Sequence, residues 1–127
     1  MGPRHESTAV AAIAGDMDLV RRVQGRDAGA FRAIMRAHNQ RLYRIARAVV
    51  CNDGEAEDVV QEAYVRAFTH LDGFRGDSSL STWLSRIVIN EALGRLRKSR
   101  RRAETALPLE QADEARIIPF PLNSSND

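Results

Sequence analysis

At about 100° per residue on a helix, Trp83, Arg86, Asn90, Gly94, Arg97 and Arg101 share a sector of roughly 80°. An indole that stacks, a carboxamide that both donates and accepts, and guanidinium groups that hold phosphates are the side chains nucleic-acid recognition uses. Gly94 removes steric bulk from the middle of that stripe. The preceding stretch, DGFRGDSSLSTWL at 72–84, sets Phe74 and Arg75 before Gly76 and places Trp83 just after a Ser/Thr-rich helix start. An aromatic beside a polar glycine-containing loop needs something to touch. The chemistry on offer is non-covalent recognition rather than catalysis: His5, His38 and His70 stand apart, no nucleophile, base and acid are spaced to work together, and no Gly-rich phosphate loop follows a strand. His38 falls on an apolar helix face and reads as a core-edge histidine.

Charge is segregated along the chain. The formal net charge is only +2, yet residues 53–62 (DGEAEDVVQE) carry Asp53, Glu55, Glu57, Asp58 and Glu62 with no cation among them. Residues 86–102 carry Arg86, Arg95, Arg97, Lys98, Arg100, Arg101 and Arg102 against Glu91 alone. A concentrated basic stripe is the footprint of a polyanion partner. The single cysteine, Cys51, has no neighbour at metal-ligand spacing and reads as a small helix-end residue, and nothing points to a metal or cofactor. No apolar run approaches the roughly 20 residues that span a bilayer, and MGPRHESTAV lacks the apolar core of a secretory signal. A cytoplasmic protein with no membrane insertion is expected.

The elements that must position these residues are helical. Hydrophobic residues make up 43% of the 127, but without the sustained alternation that strands need. Residues 1–15 read as a flexible leader and 16–24 as a short helix with Asp16 as its cap, ended by Gly25. Asp27 caps a long helix over about 28–50, with Phe31, Ile34, Met35, His38, Leu42, Ile45, Ala46 and Val49 recurring at steps of three and four. Asn52 with Glu55 has the capping-box pattern and starts a helix to about His70, its inward stripe being Ala56, Val59, Val60, Ala63, Ala67 and Leu71. Acidic residues in its first turn also suit the positive end of the helix dipole, a purely structural reason for part of the cluster. Ser79 or Ser81 caps a last helix over about 80–100, held in the core by Leu84, Val88, Ile89, Ala92, Leu93 and Leu96. The expected fold is all-α, a compact bundle of about four helices over 16–102, with a Pro-containing, acidic linker or tail at 103–127 whose IIPFPL segment is apolar enough to dock.

Three stretches in series, GRDAGAF at 25–31, AEDVVQEAYVRAF at 56–68 and FRGDSSLSTWLSRIVINEALGRLR at 74–97, resemble region 2 of the extracytoplasmic-function (group 4) sigma factors of bacteria. The resemblance covers about residues 16–102 in order and spacing. It implies a promoter-recognition subunit that binds core RNA polymerase and the melted minus-ten element. Carried over by motif, Asp58, Gln61 and Glu62, with Arg66 as a neighbour, would dock on the clamp helices of the beta-prime subunit. Arg75, Asp77, Ser78, Ser79 and Leu80, with Phe74 shaping the site, would hold a nontemplate-strand base turned out of the duplex. Asn90 would read a base edge and Arg86 and Arg97 would meet phosphates or stack. Trp83 has two readings, a stack on DNA at the duplex fork or an aromatic anchor of the domain. Arg100, Arg101 and Arg102 read as general phosphate contacts or a solvated helix end.

The resemblance further implies an anti-sigma factor as a partner for the same surfaces. A complete member would carry a second helical domain that reads the minus-thirty-five element, and residues 103–127 have neither the length nor the periodicity for it. They match the start of the interdomain linker. The competing reading is a helical protein-interaction module without direct DNA binding, in which the acidic helix and the long amphipathic helix serve a protein partner.

Overall fold

The computed structural model describes residues 2–106, with side chains from 10 to 105. Four α-helices, α1 (Gly2–Gln24), α2 (Ala28–Val50), α3 (Asp53–Thr69) and α4 (Leu80–Ala106), follow one another, with a single 3-10 turn at Leu71–Gly73 before the last. The boundaries come from caps that the sequence carries. Asp27 accepts from the Gly29 and Ala30 amides at 2.9 and 3.2 Å and starts α2. Asn52 accepts from the Glu55 amide at 2.9 Å and starts α3. Only half of the expected capping box forms, because the Glu55 carboxylate turns to Arg95 of α4 instead. Cys51 closes α2 in the left-handed conformation (φ 57°), its amide donating to the Arg47 carbonyl.

α2, α3 and α4 pack on one another and α1 lies against α2. Their apolar stripes meet in one core, where Ile34 and Leu42 of α2, Val59 of α3, and Leu80, Leu84 and Val88 of α4 are the largest fully buried side chains. Each such side chain stabilises the fold by roughly 1.5–3 kcal/mol relative to exposure. Phe31 of α2 meets the edge of Phe68 of α3 at 4.6 Å between centroids, locking the two helices together, and Tyr64 stacks on Phe68 along α3 at 5.6 Å. The Tyr64 hydroxyl donates to Asn39 at 2.7 Å, and burial pushes its pKa up to about 12.

Three expectations are corrected. First, α1 begins at Gly2, so the stretch read as a leader is helical. Ala9, Ala11, Ala12 and Ala14 carry strong helix propensity without the apolar period that marks an amphipathic helix. Asp16 therefore lies inside α1 and caps a different helix. Second, Ile89 and Leu93 are 39% exposed each, so α4 is held by Leu80, Leu84, Val88 and Ala92 with an apolar flank left open. Third, α4 continues through Ala106, four residues into the expected tail, and the tail beyond it lies outside the described residues. α1 does end at Gly25, in a Schellman-type turn in which Arg26 takes the left-handed conformation (φ 66°) and Asp27 N–H donates to the Arg22 carbonyl at 2.9 Å.

Candidate nucleic-acid interface and docking face

The loop between the 3-10 turn and α4 stands on two buried feet. Phe74 is 5% exposed and Leu80 1%, so both side chains belong to the core and contribute to the loop only from beneath. Between them Arg75 and Asp77 are exposed, while Ser78 and Ser79 are half-buried. The Ser79 hydroxyl is the side-chain cap of α4, accepting from the Thr82 amide at 3.1 Å and bonding the Thr82 hydroxyl at 3.0 Å. Ser78 Oγ donates to the Ser79 carbonyl at 3.2 Å. The two serines thus shape the loop, and Arg75 and Asp77 are its outward polar groups. Trp83 is half-buried, tilted against Phe74 at 5.5 Å, with Gly73 beside its ring. It anchors the loop and keeps an open edge, so both of its readings fit its placement.

Along α4, Arg86, Asn90, Arg97 and Arg101 are exposed, as the sector argument requires. A Cβ at Gly94 would meet the Arg97 guanidinium at 4.0 Å, an ordinary contact. Asn90, Gly94, Arg97, Lys98, Arg101 and Arg102 form one wall of a groove of about 590 Å³. Glu62 and Arg66 of α3 form the other.

The outer face of α3 is tied to its neighbours by ions. Arg95 of α4 reaches Glu55 at 3.3 Å and Asp58 at 3.5 Å, and Arg66 pairs with Glu91 of α4. At the start of α3, Asp53 takes Arg47 Nε at 2.7 Å and the Tyr43 hydroxyl at 3.0 Å, and these two donors hold its carboxyl below the usual carboxylate range. Asp53, Glu55 and Asp58 of the acidic cluster are therefore matched by cations from α2 and α4. Asp58, Gln61, Glu62 and Arg66 are all exposed, but they straddle the helix: Glu62 and Arg66 border the α3/α4 groove, and Gln61 lines a second groove with Met35, Asn39 and Tyr43 of α2.

Residues 34–102 match the sigma-70 region 2 family. The chain belongs to that family. Among curated proteins it is similar to the RNA polymerase sigma-H factor of Pseudomonas aeruginosa, 37% identical over 99 residues, covering 77% of this chain and 51% of that protein. The ECF RNA polymerase sigma factor SigM of Mycobacterium tuberculosis is 36% identical over 109 residues, covering 86% and 51%. The ECF RNA polymerase sigma-E factor of Escherichia coli is 42% identical over 77 residues, covering 61% and 40%. The chain spans about half the length, or less, of these relatives. Among the described residues, no helix is long and apolar enough to cross a membrane.

Within this region 2 chain, three features escaped the sequence reading. Val65 is 60% exposed and sits one turn after Gln61 and Glu62, an apolar residue in the middle of the polar outer face of α3. Its position off the inward stripe was the available signal. Arg95 was counted with the basic stripe, but it faces α3 and braces Asp58. Asp16 reaches Leu80 across 64 residues of sequence, a contact that no local pattern encodes.

Proposed function

We propose that this sigma-70 region 2 chain acts in promoter recognition. It binds core RNA polymerase through the outer face of α3 and captures the melted nontemplate strand of the minus-ten element with the 74–80 loop and α4. The carrying observation is the loop itself: outward Arg75 and Asp77 between two core-anchored feet, running directly into the exposed Arg86, Asn90 and Arg97. Unstacking a base costs a few kcal/mol, so a surface that binds only the extruded base shifts the melting equilibrium by binding energy, without covalent chemistry.

In this reading Asp58, Gln61, Glu62 and Arg66 meet the clamp helices of the beta-prime subunit, with Val65 as the apolar centre of the contact. Exposed apolar residues ringed by polar ones are the usual anatomy of a protein interface. Arg75 and Asp77 contact the extruded base, Asn90 reads a base edge, and Arg86, Arg97 and Arg101 hold phosphates. Arg75 and Asp77 offer donors and acceptors in one loop, which suits base-edge hydrogen bonding better than phosphate binding alone. An anti-sigma factor that covered the same two faces would hold the chain inactive. The protein would then work in the cytoplasm, where the polymerase is.

The test is binding to core RNA polymerase, followed by binding of that complex to fork-junction DNAs that differ in one unpaired nontemplate base. Three or four phosphate contacts to a single strand predict a loss of about 20- to 50-fold between 50 and 200 mM salt. Base-selective, salt-sensitive capture is the expected result. Retention on polymerase without base selection at any salt would reduce the chain to a helical protein-docking module.

A further inference from the structure

α4 begins at Leu80, where the loop ends, and its first N–H groups have no partner within the helix. Ser79 satisfies the Thr82 amide. The Leu80 amide is satisfied from α1, where the Asp16 carboxylate accepts it at 2.8 Å. One turn of the loop earlier, Gly76 adopts φ +79°, and a Cβ there would fall 2.7 Å from Met17 Sδ and 3.4 Å from Ile13 Cγ2. Ile13, Asp16 and Met17 lie one turn apart on α1 and so share a face. That face covers the loop at two points, its glycine and its junction with α4.

We propose that Asp16 is a positioning residue for strand capture, setting the 74–80 loop from α1 by capping α4, with Met17 and Ile13 closing over Gly76. This rests on the reading of the loop given above. The Asp16 oxygen ties the junction of loop and helix to α1 through a hydrogen bond to an amide that α4 itself leaves unpaired. With that junction fixed, the loop presents Arg75 and Asp77 outward from a set backbone. Neither Asp16 nor Met17 needs to touch DNA for this. The stretch ahead of α2 is thus part of the recognition apparatus rather than a leader to it.

The experiment compares Asp16→Ala, Asp16→Asn and Gly76→Ala in the full chain. Asn keeps an oxygen that accepts from the Leu80 amide, and Gly76→Ala disturbs the second contact of α1 with the loop, at Met17 and Ile13. Strand affinity of the polymerase-bound chain should fall at least about fivefold in Asp16→Ala and Gly76→Ala, with polymerase affinity within about twofold of the parent, and Asp16→Asn should restore it. Trp83, the only tryptophan, lies tilted against Phe74 at the foot of the loop and supplies a readout independent of DNA: its emission should shift in Asp16→Ala and return in Asp16→Asn. Parental strand affinity and emission in Asp16→Ala would overturn the proposal. So would equal losses in the Asn and Ala variants, which would make the effect one of charge alone, or a parallel loss of polymerase binding, which would make it one of folding. If the parent chain shows no base selection, the reading of the loop fails, while Trp83 emission and amide exchange at Leu80 still decide whether Asp16 sets its conformation.

Discussion

The outer face of α3 and the loop leading into α4 present charge in opposite ways. On α3 the carboxylates ride on a regular helix and are braced from the side, Asp58 and Glu55 by Arg95 and Arg66 by Glu91. In the loop, Arg75 and Asp77 stand between Phe74 and Leu80, and their backbone is set by a cap from α1 and a left-handed glycine. The first surface is ordered before any partner arrives, which suits docking on another protein at low entropic cost. In the second, Arg75 and Asp77 are exposed and make no ion pair among the described residues, which leaves both open to a ligand. One small bundle thus carries a braced face and an open one, joined by α4.

The contrast can be broken most sharply at Val65. Val65→Asp puts a charge in the centre of the braced face and should weaken polymerase binding by about 2 kcal/mol or more, roughly 30-fold, while leaving thermal stability close to the parent because the side chain is exposed. A titration of core polymerase beside a melting curve checks both halves. Arg95→Ala removes the brace rather than the contact. Because Arg95 is partly exposed and its partners more so, the stability loss should be no more than about 1 kcal/mol, with a few-fold loss of polymerase affinity and none of base selectivity.

Tyr64→Phe probes the α2/α3 wall on which that face rests. Loss of the hydroxyl bond to Asn39 should cost about 1 kcal/mol in denaturant unfolding. Burial raises the Tyr64 pKa to about 12, so the folded state holds the phenolic proton longer than the unfolded one. That contribution is complete below the ordinary tyrosine value and is lost as pH rises through the folded value; the Phe variant should therefore show a flatter alkaline decline. The smallest effect is expected from Arg101→Ala, which should lower the salt slope of strand binding by about 0.7 with equal effect on every base, the mark of a phosphate contact.

Much of this architecture is legible in the sequence because its signals are local. Asp27 and Asn52 cap the helices they precede, the three-four spacing of Ile34, Leu42 and Ala46 faces the core, and Arg86, Asn90 and Arg97 emerge on one exposed side of α4. The misreadings concern contacts made at a distance. Asp16 looks like the cap of its own helix because Asp before an apolar stretch is a local start signal, but its partner is an amide 64 residues away. Ile89 and Leu93 look buried because their residue types fit the stripe, yet the neighbouring helices do not cover that flank. The acidic run of α3 looks unpaired because Arg47 and Arg95 reach it from other helices. In the candidate site, the exposed face of α4 and the capping duty of Ser79 were readable because both are local, whereas the burial of Phe74 and Leu80 depends on tertiary structure.

The central claim is that the two faces act separately, and a crossed pair of variants tests it most directly. Asp58→Ala with Gln61→Ala, and Arg75→Ala with Asn90→Ala, would each be titrated into core RNA polymerase and then with fork-junction DNA at constant salt. The first pair should lose polymerase affinity at least tenfold while any complex that forms still selects its base, and the second should keep polymerase affinity and lose base selection. Parallel losses of both activities in both variants would contradict the account.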